Sequence, residues 1–334
     1  MIAVHLEVPD LAVPEAPILR VEDLRKTFVV KGAGWRRWRL HALSGVTFDV
    51  RRGETLGLVG ESGCGKSTTA RCLVRLLRPD GGRIVFDGQD ITRLTDRQFW
   101  PLRRRIQMVF QDPTDSLNPR MTVEEMVGEP LDLHFRLTPR ERMERIVAVL
   151  TLVGLKDEHL DRYPHQLSIG QQQRVGIARA VATGADLLVL DEPTSALDVS
   201  VRGMVLRLLE ELRERLHMTY VFISHDLSVV KHICHRVAVM YLGMVVEVGS
   251  TEEIFRRPRH PYTEALLQAV PIPDPRARRE RLILPGEVPS PLSLPAGCFF
   301  YSRCSIRREE CATTPQWLRP AGAGHYVACH VRVP

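Results

Sequence analysis

Gly60-Glu61-Ser62-Gly63-Cys64-Gly65-Lys66-Ser67 meets every fixed position of the phosphate-cradling pattern G-x-x-x-x-G-K-[ST]. Before it, Glu54-Thr55-Leu56-Gly57-Leu58-Val59 is a short apolar run of buried-strand type. After it, Ala70, Leu73, Val74 and Leu77 fall at i, i+3, i+4 and i+7, which predicts an apolar helical stripe starting near Lys66. The loop is therefore read as a strand-to-helix turn. Its glycines turn backbone N–H groups inward around phosphate oxygens, and the helix N-terminus adds unpaired donors and partial positive charge. Gly60, Glu61, Ser62, Gly63, Cys64, Gly65, Lys66, Ser67 and Thr68 form the candidate phosphate cradle, with Lys66 reaching the β- and γ-phosphates and Ser67 ligating Mg²⁺. Cys64 reads as a small residue filling the loop, because nothing beside it in sequence supplies a base.

The 334 residues are enough for one large domain or two ordinary ones, and 44% hydrophobic residues exclude a disordered chain. No run of 18 apolar residues is present, and Met1–Asp10 lacks a basic segment followed by an apolar one; a cytosolic chain, or one held at a membrane by partners, is expected. The net charge of +6 is spread over interspersed acids and bases, and decides nothing. Of seven cysteines, Cys64, Cys72 and Cys234 are scattered, whereas Cys298, Cys304, Cys311 and Cys329 crowd near the end in the spacing C-x5-C-x6-C-x17-C. In such a chain the crowd reads as metal ligation before disulfides, although it is not the paired C-x2-C of common zinc modules.

Residues 1–17, with three prolines and no period, read as a loose leader. Strands are predicted over Ile18–Val30 and His41–Val50, around an insert of cations and tryptophans, Lys31–Arg39, which suits a solvated hairpin loop or a surface contact. Further strands are expected over Gly81–Gly88, Ile106–Gln111, Asp186–Asp191 and Thr219–Ser224. Between Asp112 and Gly176 the pattern turns helical: Thr138-Pro139-Arg140-Glu141 is a capping box with proline at the first helical position, Met143, Ile146, Val147 and Leu150 make the stripe, and Gly154 ends it. Met204, Val205, Leu208, Leu209 and Leu212 carry another helix. Buried runs alternating with amphipathic helices indicate an α/β chain with a mainly parallel sheet covered on both faces. Composition shifts to proline and arginine beyond Gly249, which sets the expected boundary of a domain spanning 18–250 from an extension spanning 251–334.

Leu187-Leu188-Val189-Leu190-Asp191-Glu192 is an apolar strand ending in two carboxylates, the Walker B arrangement: Asp191 would hold the Mg²⁺ shell and Glu192 would polarise the attacking water. Leu167-Ser168-Ile169-Gly170-Gln171, Ser195-Ala196-Leu197-Asp198, His225 in Ile223-Ser224-His225-Asp226, and Gln111 after Met108-Val109-Phe110 complete a set in fixed order. Together these resemble the ATP-binding cassette (ABC) ATPases over about Ile18–Gly249, with signature, D-loop, switch histidine and Q-loop. The resemblance implies a P-loop NTPase fold with an antiparallel β subdomain and an inserted helical subdomain at about 112–176.

By the same resemblance Phe28 would stack on adenine, though it also suits a strand core. Gln111 would sense γ-phosphate and Mg²⁺, and Ser168, Gly170 and Gln171 would face a nucleotide on a second subunit's P-loop. Asp198 would link the two sites, and His225 would clamp the γ-phosphate and the catalytic Glu192. Ile169 stands where the family signature has glycine. Either a β-branched residue weakens that face, because it resists φ > 0 and close backbone approach, or its side chain points away from phosphate.

His260-Pro261-Tyr262-Thr263-Glu264-Ala265-Leu266-Leu267, Pro271-Ile272-Pro273-Asp274-Pro275, Gly286–Leu292, Gly297-Cys298 and Val327-Ala328-Cys329-His330 resemble the C-terminal extension of oligopeptide/dipeptide importer ATPases, and the insert before His41 is closer to their F-type second subunit. This implies an ATP-hydrolysing motor on the cytoplasmic face of the inner membrane, paired with a second ABC ATPase subunit, a different one in preference to an identical one. Two membrane permeases and an extracytoplasmic solute-binding protein complete the expected complex, and no nucleic-acid partner is expected. A soluble ABC ATPase acting on nucleic acid or ribosomes, or a weakly catalytic scaffolding subunit, are the alternatives. Some relatives hold a [4Fe–4S] cluster on four cysteines of this extension, so Cys298, Cys304, Cys311 and Cys329 are expected to hold such a cluster, with zinc second and free buried thiols as the alternative.

Overall fold

The computed structural model describes residues 16–31, 37–269 and 284–333. Most of the predicted leader, the centre of the tryptophan insert and Pro271–Pro275 lie outside these residues. Among the described residues twelve strands run β1 (Leu19–Lys31), β2 (Arg37–Val50), β3 (Thr55–Val59), β4 (Gly81–Phe86), β5 (Gln89–Asp90), β6 (Ile106–Val109), β7 (Leu187–Asp191), β8 (Thr219–Ile223), β9 (Arg236–Tyr241), β10 (Met244–Ser250), β11 (Arg319–Gly322) and β12 (His325–Val327). They form two sheets, an antiparallel one in the order β2-β1-β4-β5 and a larger one in the order β11-β12-β10-β9-β3-β8-β7-β6. Within the larger sheet β9, β3, β8, β7 and β6 are parallel neighbours, and β10, β12 and β11 continue it antiparallel. All residues of β3, β7 and β8 are buried, as their unbroken apolar runs require of strands covered on both faces.

The α-helices of the described residues are α1 (Lys66–Leu73), α2 (Asp96–Arg103), α3 (Pro113–Ser116), α4 (Val123–His134), α5 (Pro139–Leu152), α6 (Ile169–Val181), α7 (Val199–Leu216), α8 (Leu227–Ile233), α9 (Thr251–Arg256) and α10 (Pro261–Gln268). Helices α3 to α6 occupy the predicted helical insertion, α6 running on to Val181. Thr138 caps α5 with Glu141 closing the box, as the sequence requires.

The stripes differ in detail. Helix α5 buries Ile146, Val149 and Leu150, with Val153 buried just past its end, leaving Met143 and Val147 half-buried. On α7, Val205, Leu208, Leu209 and Leu212 form the i, i+3, i+4, i+7 face, and Met204, one step off it, is exposed. Helix α1 stops at Leu73, short of Leu77. Arg75 takes φ 59°, with its guanidinium donating to the carbonyls of Thr92 and Leu94, and Leu76 N–H closes the end on Arg71 O at 2.9 Å. Strand β2 begins at Arg37, so Trp38 is not loop: it pairs with Val30.

The compositional break near Gly249 falls inside β10. Strand β12, from the end of the chain, pairs with β10 in the register Glu247↔Val327. Glu247 is fully buried and accepts from Arg259 N–H at 2.6 Å and His260 N–H at 3.0 Å; its Oε1 lies 2.8 Å from His325 Nε2, joining β10, α10 and β12. His260 caps α10 by accepting Tyr262 N–H at 3.1 Å.

Burial lowers the His260 pKa to about 4, against a smaller upward pull from Glu247. The folded state therefore holds this ring neutral while the unfolded chain protonates it near pH 6.5. Its contribution is complete above that pH, falls as pH drops toward 4 and is constant below. Replacement by asparagine keeps a capping acceptor without the titration. The stability advantage of the wild type over His260→Asn should shrink by about 3 kcal/mol between pH 7 and pH 4, measured by urea unfolding across that range; a pH-independent difference would refute the assignment.

Candidate functional site

Four adjacent parallel strands deliver the site. Strand β3 ends at Val59 and runs into Gly60–Ser67, β8 leads to His225, β7 to Asp191 and Glu192, and β6 to Gln111. In parallel sheets ligands bind beyond the carboxyl edge of the strands, and every one of these groups lies there.

The loop is shaped by close backbone approach. Gly60, Gly63 and Gly65 take φ of 153°, 79° and 106°. A Cβ on Gly60 would stand 2.2 Å from Met240 O, and one on Gly65 would stand 2.6 Å from Ala42 O, so β9 and β2 wall the loop directly. Lys66 is buried and reaches back along the loop, donating to Gly60 O at 2.8 Å and Glu61 O at 3.0 Å. Thr69, one turn into α1, donates to Gly65 O at 3.0 Å. Cys64 is buried, with its thiol pushed up by burial and its sulfur 3.7 Å from Lys66 Nζ, which suits a filler inside the loop.

Ser67 Oγ donates to Asp191 Oδ1 at 3.0 Å. Burial raises the Asp191 carboxyl, while the Ser67 bond draws it down. Glu192 sits at φ 47°, a left-handed conformation that turns the chain after β7. Its Oε2 accepts Gln111 Nε2 at 3.1 Å and lies 3.1 Å from His225 Nδ1. The predicted base, switch histidine and Q-loop glutamine thus meet at one carboxylate oxygen, through the amide nitrogen of Gln111.

The remaining predicted residues lie elsewhere. Ser168 caps α6, accepting Gln171 N–H, while the Gln171 side chain returns to Ser168 N–H at 2.9 Å and its Nε2 lies 3.1 Å from His159 Nε2. Ile169 is the first residue of α6 and keeps negative φ, so of the two alternatives strain from a positive φ does not arise, and its side chain is 49% exposed. Gly170 faces Val201, which a Cβ would meet at 2.6 Å. Asp198 caps α7 through Ser200 and Val201 N–H, and the bond from the Ser200 hydroxyl at 2.6 Å, followed by those backbone bonds, holds its carboxyl below the usual range. Among the described residues no hydrogen bond joins Ser168, Gln171 or Asp198 to the loop of the same chain. Phe28 is half-buried on β1 opposite Leu40, beside the strand whose Ala42 touches Gly65, with Lys26 Nζ 5.6 Å from its ring centre.

Sequence reasoning missed three contributors. Met240 forms the wall under Gly60, and Tyr262 and Arg303 both bind Glu61. Only Tyr262 lay in a quoted motif, where it had no role; nothing in the sequence marks Arg303.

Residues 43–195 match the ABC transporter family, and residues 246–311 match the C-terminal region of the oligopeptide/dipeptide transporters. The oligopeptide transport ATP-binding protein AppF of Bacillus subtilis is 46% identical over 325 residues, spanning 96% of this chain and 99% of AppF. This chain belongs to the ATP-binding subunits of ABC oligopeptide/dipeptide transporters. Among solved structures, the ATP-binding cassette MJ0796, a post-hydrolysis dimer bound to ADP and Pi, is 31% identical, with TM-score 0.63 over 70% of this chain and 98% of that one. CbiO1 of Clostridium perfringens, part of an ABC transporter complex, is 32% identical over 73% of this chain and 92% of its own, also at TM-score 0.63. This ATPase subunit therefore binds ATP with Mg²⁺, and the hard oxygens of Ser67 and Asp191 suit an ion that keeps most of its shell for water and phosphate.

The cysteines fit a metal less simply. Cys298, Cys304, Cys311 and Cys329 line one pocket together with His260 and His330, and none is in a disulfide. Burial pushes Cys298 up to about 11 and raises Cys304, with the neighbouring thiols adding to both. Among the described residues no three His, Cys, Asp or Glu side chains are arranged to hold a metal ion. Four thiols around a shared pocket suit a polynuclear cluster in donor type, since such clusters are held by cysteine sulfur. Among the described residues no helix is long and apolar enough to cross a membrane.

The glycine contacts give a direct test of the loop. Gly60→Ala should weaken binding of a fluorescent ATP analogue by at least about tenfold or cost about 2 kcal/mol of stability, read by titration and thermal unfolding; near-wild-type values in both would contradict the packing against Met240.

Proposed function

We propose that this ATPase subunit is the ATP-hydrolysing motor of an importer for di- or oligopeptides or related solutes. It sits on the cytoplasmic face of the inner membrane and moves two permease subunits fed by a solute-binding protein. The observation that carries the reading is the meeting of Gln111, Glu192 and His225 beside a complete P-loop, on a chain similar to AppF through nearly its whole length. Lys66 neutralises charge on the β- and γ-phosphates, and Ser67 and Asp191 hold Mg²⁺, which supplies charge neutralisation at the transferring phosphoryl group. Glu192 takes a proton from the attacking water through the carboxylate that Gln111 and His225 orient by its Oε2.

Ser168, Gly170, Gln171 and Asp198 serve the nucleotide of a second ATPase subunit, a different chain in preference to a copy, and that subunit's signature completes the site on Lys66. Their engagement within this chain's own helices, away from its own loop, supports the reading. ATP closes the pair head to tail, and hydrolysis reopens it. Phe28 stacks on adenine, from β1 of the antiparallel sheet that walls the loop.

Glu192→Gln should lower turnover by roughly 10²-fold or more while leaving ATP affinity within about twofold, the pattern for loss of a general base. Steady-state hydrolysis by the assembled complex, together with nucleotide titration, checks it, and unaltered turnover would remove Glu192 from its role.

We further assign a [4Fe–4S] cluster to Cys298, Cys304, Cys311 and Cys329; it would cross-link separate segments of the extension. Anaerobically purified protein should contain about four irons and four sulfides per chain and lose its visible absorbance on exposure to air. Metal analysis finding neither iron nor sulfide would sink this assignment.

A further inference from the structure

Glu61 is the first variable position of the P-loop pattern, so the pattern assigns it no role. In the structure it is the most fully engaged residue of the loop. Its N–H donates to Tyr262 Oη at 2.9 Å, and its carbonyl accepts Lys66 Nζ at 3.0 Å. Its carboxylate accepts Arg303 from both terminal nitrogens, Nη1 at 3.1 and 3.3 Å and Nη2 at 3.3 Å. Two of these three groups are thus held by the C-terminal extension.

Both partners are themselves fixed. Tyr262 is fully buried on α10, its ring centre 4.7 Å from Tyr241 and 5.6 Å from Phe300. Arg303 is 8% exposed, in the 3₁₀ turn Tyr301–Arg303, with its guanidinium carbon 5.9 Å from the centre of the Tyr241 ring. Tyr241 ends β9, the strand whose Met240 carbonyl walls Gly60.

We propose that Tyr262 and Arg303 are positioning residues of the nucleotide site: by holding Glu61, the extension keeps the P-loop in the geometry that accepts the phosphates of ATP. Three glycines give this loop conformational freedom that binding must remove, and an anchor already in place lowers that cost. Arg303 is suited to it because a bidentate guanidinium–carboxylate pair fixes orientation as well as distance. Glu61 also carries the carbonyl that Lys66 touches, so a displaced Glu61 displaces the ammonium that meets the phosphates. The proposal rests on the reading of Gly60–Ser67 as the ATP site.

The test uses the full chain and a fluorescent ATP analogue with Mg²⁺, titrated well below the unfolding temperature, with Lys66→Ala as control. Tyr262→Phe and Arg303→Gln should each weaken binding about 5- to 10-fold and raise the KM for ATP while leaving kcat within about twofold. Arg303→Lys should recover part of the loss. Because Arg303 acts through Glu61, the pair Arg303→Gln with Glu61→Gln should bind no more weakly than Arg303→Gln alone. Wild-type affinity in both Tyr262→Phe and Arg303→Gln, or additive losses in the double variant, would overturn the clamp. If Arg303→Gln does not fold, Tyr262→Phe, which removes only a hydroxyl, decides alone. Should Lys66→Ala bind normally, the ATP-site reading itself fails; should it lose binding while the clamp variants keep theirs, only the clamp fails.

Discussion

The site depends on one constraint: β3, β8, β7 and β6 are neighbours in a parallel sheet and so end on the same edge. Residues far apart in sequence, Gly60–Ser67, Gln111, Asp191, Glu192 and His225, become adjacent because hydrogen-bonded strands lie about 5 Å apart. Strands β3, β7 and β8 are buried on both faces, so their register is set by packing, and a one-residue slip in any of them would turn its apolar side chains out of place. Precision at the edge is therefore inherited from the core. Asp191 shows the cost of that arrangement: it is buried, and the Ser67 hydroxyl offsets part of the desolvation that raises its pKa.

Much of this was legible in the sequence because its causes are local. Apolar runs bounded by glycine and charge marked β3, β7 and β8, and Thr138 with Glu141 marked the start of α5. Several motif residues lie at element ends, where chain geometry and residue type are tied together: Gly65 at φ 106° before α1, Ser168 and Asp198 as helix caps. What could not be read was set by long-range contacts. The early end of α1 follows from a buried Arg75 that binds the carbonyls of Thr92 and Leu94. The return of the last residues to pair with β10 leaves no periodic signal in strands of three and four residues. The concern over Ile169 came from supposing that a glycine position implies positive φ; its place as first residue of a capped helix removes that requirement.

The functional groups are also unevenly committed. Gln111 and His225 both meet one oxygen of Glu192, which leaves the other carboxylate oxygen free of these two partners. That asymmetry suits a base whose orientation is held from one side while the other receives a proton. Ser168 and Gln171 are engaged in a capping box that satisfies the first N–H groups of α6, so their placement is decided by helix energetics before any ligand is considered.

The extension is integrated by a chain of buried polar and aromatic contacts. Glu247 pins β10 to α10 and β12, and α10 carries Tyr262 onto Tyr241 and Phe300. Phe300 and Cys304 flank the 3₁₀ turn that carries Arg303, and both line the cysteine pocket. A group bound among those thiols would thus lie one residue from the side chain that grips Glu61. Coupling between two such places is reciprocal: if a docked extension favours the loop that accepts ATP, then ATP must favour the docked extension by the same free energy. An extension joined to the cassette's sheet and to its P-loop is, on these contacts, part of the nucleotide site's own support.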